Sequence, residues 1–254
     1  MPEREQNFVL VPYTDSAPKQ PGLVARVRGW LTAASALVPK PTGTVAPPVE
    51  DVPRRPRLVF GFDATASREP AWATARKVTD ALVQALPGEL DVALAVHGGS
   101  HLHTFTDFTA DARTLRDRAA GITCIAGRTR MLAILRTSLA RPGVRVIVYI
   151  GDVYEESHRQ GRMLADALGL RGTRLIVLHD TTVPAARVDA ETFLDLARRT
   201  GGAVLPFDAN APRKLRELLA AVAVYAVGGT ELLEKKRAEM PGALVLLEHL
   251  GGRR

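Results

Sequence analysis

Two hydrophobic rhythms take turns along this chain. Short continuous apolar runs, of the kind that form strands buried on both faces, are separated by longer stretches in which apolar residues recur at helical spacing. The run Leu58 to Phe62 predicts a first strand, and Pro70 to Leu86 a helix presenting Trp72, Ala75, Val78, Thr79, Leu82, Val83 and Leu86, stopped by Pro87-Gly88. Ser67 is expected to cap that helix. Leu90 to Val96 reads as a second strand, His97 to Ser100 as a turn, and His101 to Thr106 as a short antiparallel edge strand. Helices over 112–119 and 130–140 precede Arg145 to Ile150, the stretch richest in β-branched residues. A helix over 156–168, a strand over 174–178, a helix over 189–199, a strand over 203–206 and a helix over 212–226 complete the pattern. This order predicts an α/β fold, Rossmann-like and doubly wound, whose mostly parallel sheet carries one short antiparallel edge strand and helices on both faces.

The ends read differently. Residues 1–55 form a Pro-rich tail around one amphipathic segment, in which Leu23, Val24, Val27, Trp30, Leu31, Ala34, Leu37 and Val38 recur at helical spacing. Residues 56–226 are expected to form the main domain and 227–254 a C-terminal helical extension, whose Leu244, Leu246, Leu247 and Leu250 need apolar cover. The tail helix or another protein would supply it.

Composition narrows the functional classes. With 254 residues and 46% hydrophobic composition, the chain can bury one sizeable core. A net charge of +7 favours acidic partners, but aromatics at 5% supply no stacking platform for single-stranded nucleic acid, so nucleic-acid binding is disfavoured. Cys124 is the sole cysteine, which excludes an intrachain disulfide or a thiolate zinc cluster. The N-terminus lacks a secretory pattern and no apolar run is long enough to span a bilayer; a cytoplasmic protein is the expectation.

The chemistry concentrates where strands end. Asp63, Thr65 and Ser67 alternate along the strand-to-helix connection after the first strand. Carboxylate and hydroxyl oxygens are hard ligands suited to Mg²⁺, which takes octahedral oxygen donors and commonly retains exogenous ones. Asp152 closes the strand over 145–150, and Thr129 opens a helix behind the turn Ala126-Gly127. Ligands of open α/β sheets sit at the carboxyl ends of neighbouring strands, so these residues meet if the two strands are adjacent.

On these residues the sequence resembles the von Willebrand factor type A family. Asp63-x-Thr65-x-Ser67 fits the family's metal-ion-dependent adhesion site motif, Gly127-Arg128-Thr129 resembles its threonine loop, and Ile150-Gly151-Asp152 its acidic loop. The resemblance implies a divalent cation, Mg²⁺ with Mn²⁺ or Ca²⁺ as substitutes, held by Asp63, Thr65, Ser67, Thr129 and Asp152. It further implies a non-enzymatic binding module whose metal accepts an Asp or Glu of a protein partner, in a bacterial intracellular assembly such as one containing an AAA+ ATPase. Thr65 stands where the family more often has serine, and Arg68 and Arg128 flank the site; the favoured role for these cations is to hold the incoming carboxylate.

Two other classes compete. A metal-dependent hydrolase of phosphorylated or nucleotide substrates needs a general base, for which His179 and Glu155 are the candidates. A metal-independent scaffold would bind through its terminal helices. Glu155 and Glu156 otherwise read as helix-start acids serving the dipole. His101 and His103 share one strand face, but without further ligands read as a solvated hairpin.

Overall fold

The computed structural model describes residues 53–251, except 78, 86–87, 181–185 and 209. The amphipathic segment of the tail lies outside them.

Six strands form one sheet in the order β3-β2-β1-β4-β5-β6. They are β1 (Arg57–Asp63), β2 (Asp91–Gly98), β3 (His101–Phe105), β4 (Val144–Gly151), β5 (Arg174–His179) and β6 (Ala203–Pro206). All neighbours are parallel except β2 and β3, joined by the turn at Gly99-Ser100. The helices are α1 (Glu69–Ala75), α2 (Ala81–Gln84), α3 (Ala112–Ala120), α4 (Met131–Leu139), α5 (His158–Leu170), α6 (Ala186–Arg199), α7 (Pro212–Lys236) and α8 (Pro241–Gly251).

Strand alternation divides the apolar residues between two cores. Leu58, Phe60 and Phe62 of β1 face Trp72, Leu82, Leu115 and the α7 residues Leu219 and Val222. Val59 faces the opposite layer with Ile147, Tyr149, Ile134 and Phe193. Successive side chains of a strand point to opposite faces, so burial of both sets explains why β1 is a continuous apolar run. Gly61 lies on the second face, where a Cβ would come within 3.3 Å of the Tyr149 ring.

Three boundaries depart from the sequence reading. The helix expected over 70–86 is broken into α1 and α2: Thr79 Oγ1 returns to the Arg76 carbonyl, and buried Asp80 is drawn to Arg216 (3.2 Å) and Arg116 (3.6 Å). Ser67 does not cap α1; it sits inside a 3₁₀ turn, Ala66–Arg68, and α1 begins after Arg68. The helix expected to end at Ala226 continues as α7 to Lys236 through a kink at Gly229, whose φ of 63° lies in the left-handed region that suits glycine. Leu233, Ala243 and Leu246 are buried in the first core, Leu247 and Leu250 pack against it, and Leu244 is exposed.

Candidate metal centre

β1 and β4 lie side by side, with Phe62 opposite Ile150, so Asp63 and Asp152 emerge from adjacent strand ends. The chain leaves β1 for β2 on one side and β4 for β5 on the other. The two carboxylates thus flank the point where connections diverge, the general location of ligand sites in open α/β sheets.

The loop after β1 is clamped by backbone. Ala64 N–H donates to the His97 carbonyl (2.8 Å), and its own carbonyl accepts from Ile125 N–H (2.8 Å). Gly98 permits this approach: a Cβ there would fall 2.6 Å from the Ala64 oxygen. Thr65 N–H donates to Asp63 Oδ1 (2.9 Å), while Asp63 Oδ2 is buried without a hydrogen-bond partner among the described residues. Burial pushes the Asp63 carboxyl up to about 6, with the Asp152 charge adding to the rise against the Thr65 backbone hydrogen bond.

His97, paired in register with Asp63, is fully buried. Its Nδ1 accepts from Arg130 N–H (3.2 Å), which leaves Nε2–H to donate to the Tyr149 hydroxyl (2.8 Å). Burial, then the charges of His103 and Arg130, depresses its pKa to about 3. The 3.8 Å approach of His97 Nδ1 to Asp63 Oδ1 is therefore not an ion pair at neutral pH.

Thr129 and Glu155 are joined across loops. Thr129 N–H donates to Glu155 Oε2 (3.0 Å), and Glu155 N–H donates back to Thr129 Oγ1 (3.1 Å). Glu156 accepts from Leu132 N–H (2.9 Å), capping the first turn of α4 from a different element. These acids serve a helix start as expected, but that of α4 rather than of the helix that follows them. Gly127 lets the threonine loop lie on the β2–β3 turn, since a Cβ would sit 2.5 Å from Gly99 backbone atoms. Arg130 Nε then donates to the Ser100 carbonyl (2.7 Å).

Asp152 is nearly buried; its Oδ1 accepts from Val153 N–H (2.8 Å) and its Oδ2 lies 3.7 Å from Arg68 Nη1. Arg68 does not reach outward for an incoming carboxylate. It is 2% exposed, and the same Nη1 donates to Asp180 Oδ2 at 2.6 Å. Asp180 enters from the end of β5, where its N–H donates to the Gly151 carbonyl (3.0 Å). His179 Nε2 donates to the Asp152 carbonyl (3.1 Å). Both bases proposed for a hydrolase, His179 and Glu155, thus engage the site's own loops.

Of the five residues read from the sequence, Asp63, Thr65, Thr129 and Asp152 are buried at the same end of the sheet. Ser67 lies in the same loop, and its side chain is outside the described residues. The roles missed by sequence reading are those of Arg68 as an inward cation, Asp180 as its partner, and Glu155 as the lock on Thr129. Their only signal was position, next to the motif or at a strand end. Elsewhere, the His101 and His103 rings lie 4.1 Å apart on β3, with His101 Nδ1 engaged by the Gly99 carbonyl. Burial and Glu69 push the Cys124 thiol up to about 12, which leaves it protonated and inert.

Among the described residues, no group of three or more His, Cys, Asp and Glu is gathered for a metal. The donor set here is of another kind, two carboxylates with hydroxyls. Its fit to a hard divalent cation rests on Asp63 Oδ2, a buried oxygen without a hydrogen-bond partner among the described residues, and on the neighbouring Asp152.

The strand order, the single antiparallel edge and the two helical layers define a Rossmann-like fold of the von Willebrand factor type A kind. No protein-family model and no curated protein matches the chain. Solved structures do. A von Willebrand factor type A protein from Catenulispora acidiphila superposes with a TM-score of 0.54 at 15% identity, over 67% of this chain and 43% of its own. Proximal thread matrix protein 1 from the mussel byssus, in a structure with a zinc-occupied metal-ion-dependent adhesion site, gives 0.53 at 13% identity, over 66% and 46%. The pilus adhesin SpaC from Lactobacillus rhamnosus GG gives 0.54 at 10%, over 66% and 30%. The chain spans less than half of each of these three. At such identities the likeness establishes the fold. No helix among the described residues is long and apolar enough to cross a membrane.

Proposed function

We propose that this chain is a metal-dependent protein-interaction module. Asp63, Thr65, Ser67, Thr129 and Asp152 would hold a divalent cation, Mg²⁺ or in its place Mn²⁺ or Ca²⁺, whose remaining coordination position accepts an Asp or Glu side chain of a protein partner. The observation that carries this reading is Asp63 Oδ2: a buried carboxylate oxygen without a hydrogen-bond partner among the described residues, beside a second carboxylate, at the divergence point of the sheet. Support comes also from the likeness in fold to a protein with a zinc-occupied site of this type and to a pilus adhesin.

Binding rather than turnover is the proposed activity. A cytoplasmic bacterial assembly, with an AAA+ ATPase as one candidate member, is the proposed setting. The chain's own residues would do two things: orient oxygens toward the cation, and exclude water from Asp63 so that its charge is balanced by the ion rather than by solvent. The test is titration of Mg²⁺ and Mn²⁺ into the full chain and into Asp152→Ala, followed by capture of an immobilised acidic peptide with and without chelator. Saturable cation binding lost in the variant, with capture that chelation abolishes, is the expected result. Capture surviving both chelation and Asp152→Ala refutes the reading in favour of a metal-independent scaffold.

A further inference from the structure

Arg68 follows the last residue of the motif and is the cation nearest its carboxylates in the sequence. The 3₁₀ turn, closed by Arg68 N–H to the Thr65 carbonyl (2.9 Å), directs the side chain inward instead of into solvent. Its Nη1 lies between two carboxylates: Asp180 Oδ2 at 2.6 Å and Asp152 Oδ2 at 3.7 Å. Its Nε and Nη2 are buried without hydrogen-bond partners among the described residues. A guanidinium offers five donors in a rigid fork, so one that uses a single nitrogen is held by charge more than by directional bonding.

This placement sets two cations against each other. Asp152 Oδ2, the oxygen turned away from the Val153 amide, faces the guanidinium. A divalent ion on Asp152 would approach Arg68 at short range in a nearly dry site, where like charges repel strongly. Asp180 is the residue that decides the outcome, because its contact is shorter by about 1 Å and draws Arg68 away from Asp152.

On the reading given above, we propose that Arg68 is a tethered internal cation competing with the divalent ion for Asp152, and that Asp180 is the positioning residue that holds it aside. Cation affinity is then set by a pair outside the adhesion-site motif. Removing the arginine charge tightens divalent binding. Removing Asp180 loosens it, because Arg68 is released onto Asp152. The two substitutions act in opposite directions, whereas a merely structural ion pair would give the same direction from either side.

The experiment is calorimetric titration of Mn²⁺ into the full wild-type chain, Arg68→Gln, Arg68→Lys, Asp180→Asn and the double variant. Circular dichroism and metal-free urea midpoints report folding of each. An opposite charge beside a carboxylate changes its affinity for a cation by about ten-fold or more. Arg68→Gln is therefore expected to tighten Mn²⁺ binding by about ten-fold, Arg68→Lys to stay near wild type, and Asp180→Asn to weaken it by about ten-fold. In the Arg68→Gln background, Asp180→Asn should have little effect. Mn²⁺ uptake by Arg68→Gln when wild type takes up none supports the proposal in its strongest form. Weaker or unchanged binding by Arg68→Gln, or an equal effect of Asp180→Asn in both backgrounds, overturns it and leaves the metal reading intact. No uptake by any folded chain overturns both.

Discussion

Asp63→Asn is the substitution that separates the cost of this site from its use. The wild-type carboxyl rises from 3.8 to about 6 on folding, chiefly through burial. A raised folded-state value means that the contribution to stability is whole below about 3.8 and is lost as pH climbs through about 6. The full loss is about 3 kcal/mol above that range, since each pH unit of displacement is worth about 1.4 kcal/mol. Asparagine keeps an oxygen for the Thr65 amide and carries no charge, so the metal-free variant should match wild type near pH 4 and exceed it near pH 7. The gain is expected at about 1 to 3 kcal/mol, its lower end reflecting an amide group that must find acceptors of its own. Urea unfolding in chelator at both pH values gives the difference directly, and subtracting wild type cancels every group the variant leaves unchanged. Added Mn²⁺ should raise the wild-type midpoint and leave the variant where it was, by linkage to the folded state alone. A variant no more stable than wild type near pH 7, or one retaining the wild-type pH slope, would refute the claim that Asp63 is a desolvated anion awaiting a counter-ion.

Two further substitutions probe the supports of the site. Thr129→Val removes the oxygen that accepts from Glu155 N–H and should cost about 1 to 2 kcal/mol in urea unfolding, with weaker Mn²⁺ binding, while Thr129→Ser should retain both. His97, depressed from 6.5 to about 3, has the opposite pH sign to Asp63: its contribution is present above about 6.5 and is lost as pH falls toward about 3. His97→Gln should therefore flatten the loss of stability between about pH 6.5 and 3, read as the difference from wild type in urea midpoint; an unchanged slope would place the titrating group elsewhere.

What the sequence made legible follows from range. β1 and β4 announce themselves because burial on both faces demands apolar residues at every position, and Asp63 and Asp152 stand out because a charge at the end of such a run needs a reason. The break between α1 and α2 was hidden because its cause is distant: Asp80 is pulled inward by Arg116 and Arg216, residues no local periodicity can connect to it. Ser67 looked like a cap because its type suits one, yet the tight turn starting at Thr65 shifts the helix start past it. Glu155 illustrates the same limit. Its position beside a helix start was correct, but the helix it serves begins at Met131, and the reciprocal bonds to Thr129 exist only once β4 lies beside β1.

Arg68 shows why the site's charge cannot be inferred from the chain's. A protein with a net charge of +7 nonetheless places Asp63, Asp152 and Asp180 around one end of its sheet. Taking such charges out of water is costly unless each finds compensation, and the structure shows two partial solutions. A guanidinium serves Asp180 and reaches Asp152, while Asp63 takes up a proton more readily than an ordinary aspartate. The guanidinium carries one charge between two carboxylates, and Asp63 ionises above about 6. On the proposed reading, a divalent cation would supply charge beside Asp63 and Asp152 that Arg68, drawn toward Asp180, does not. The charge at this end of the sheet is thus set by Arg68 and Asp180 as well as by the motif.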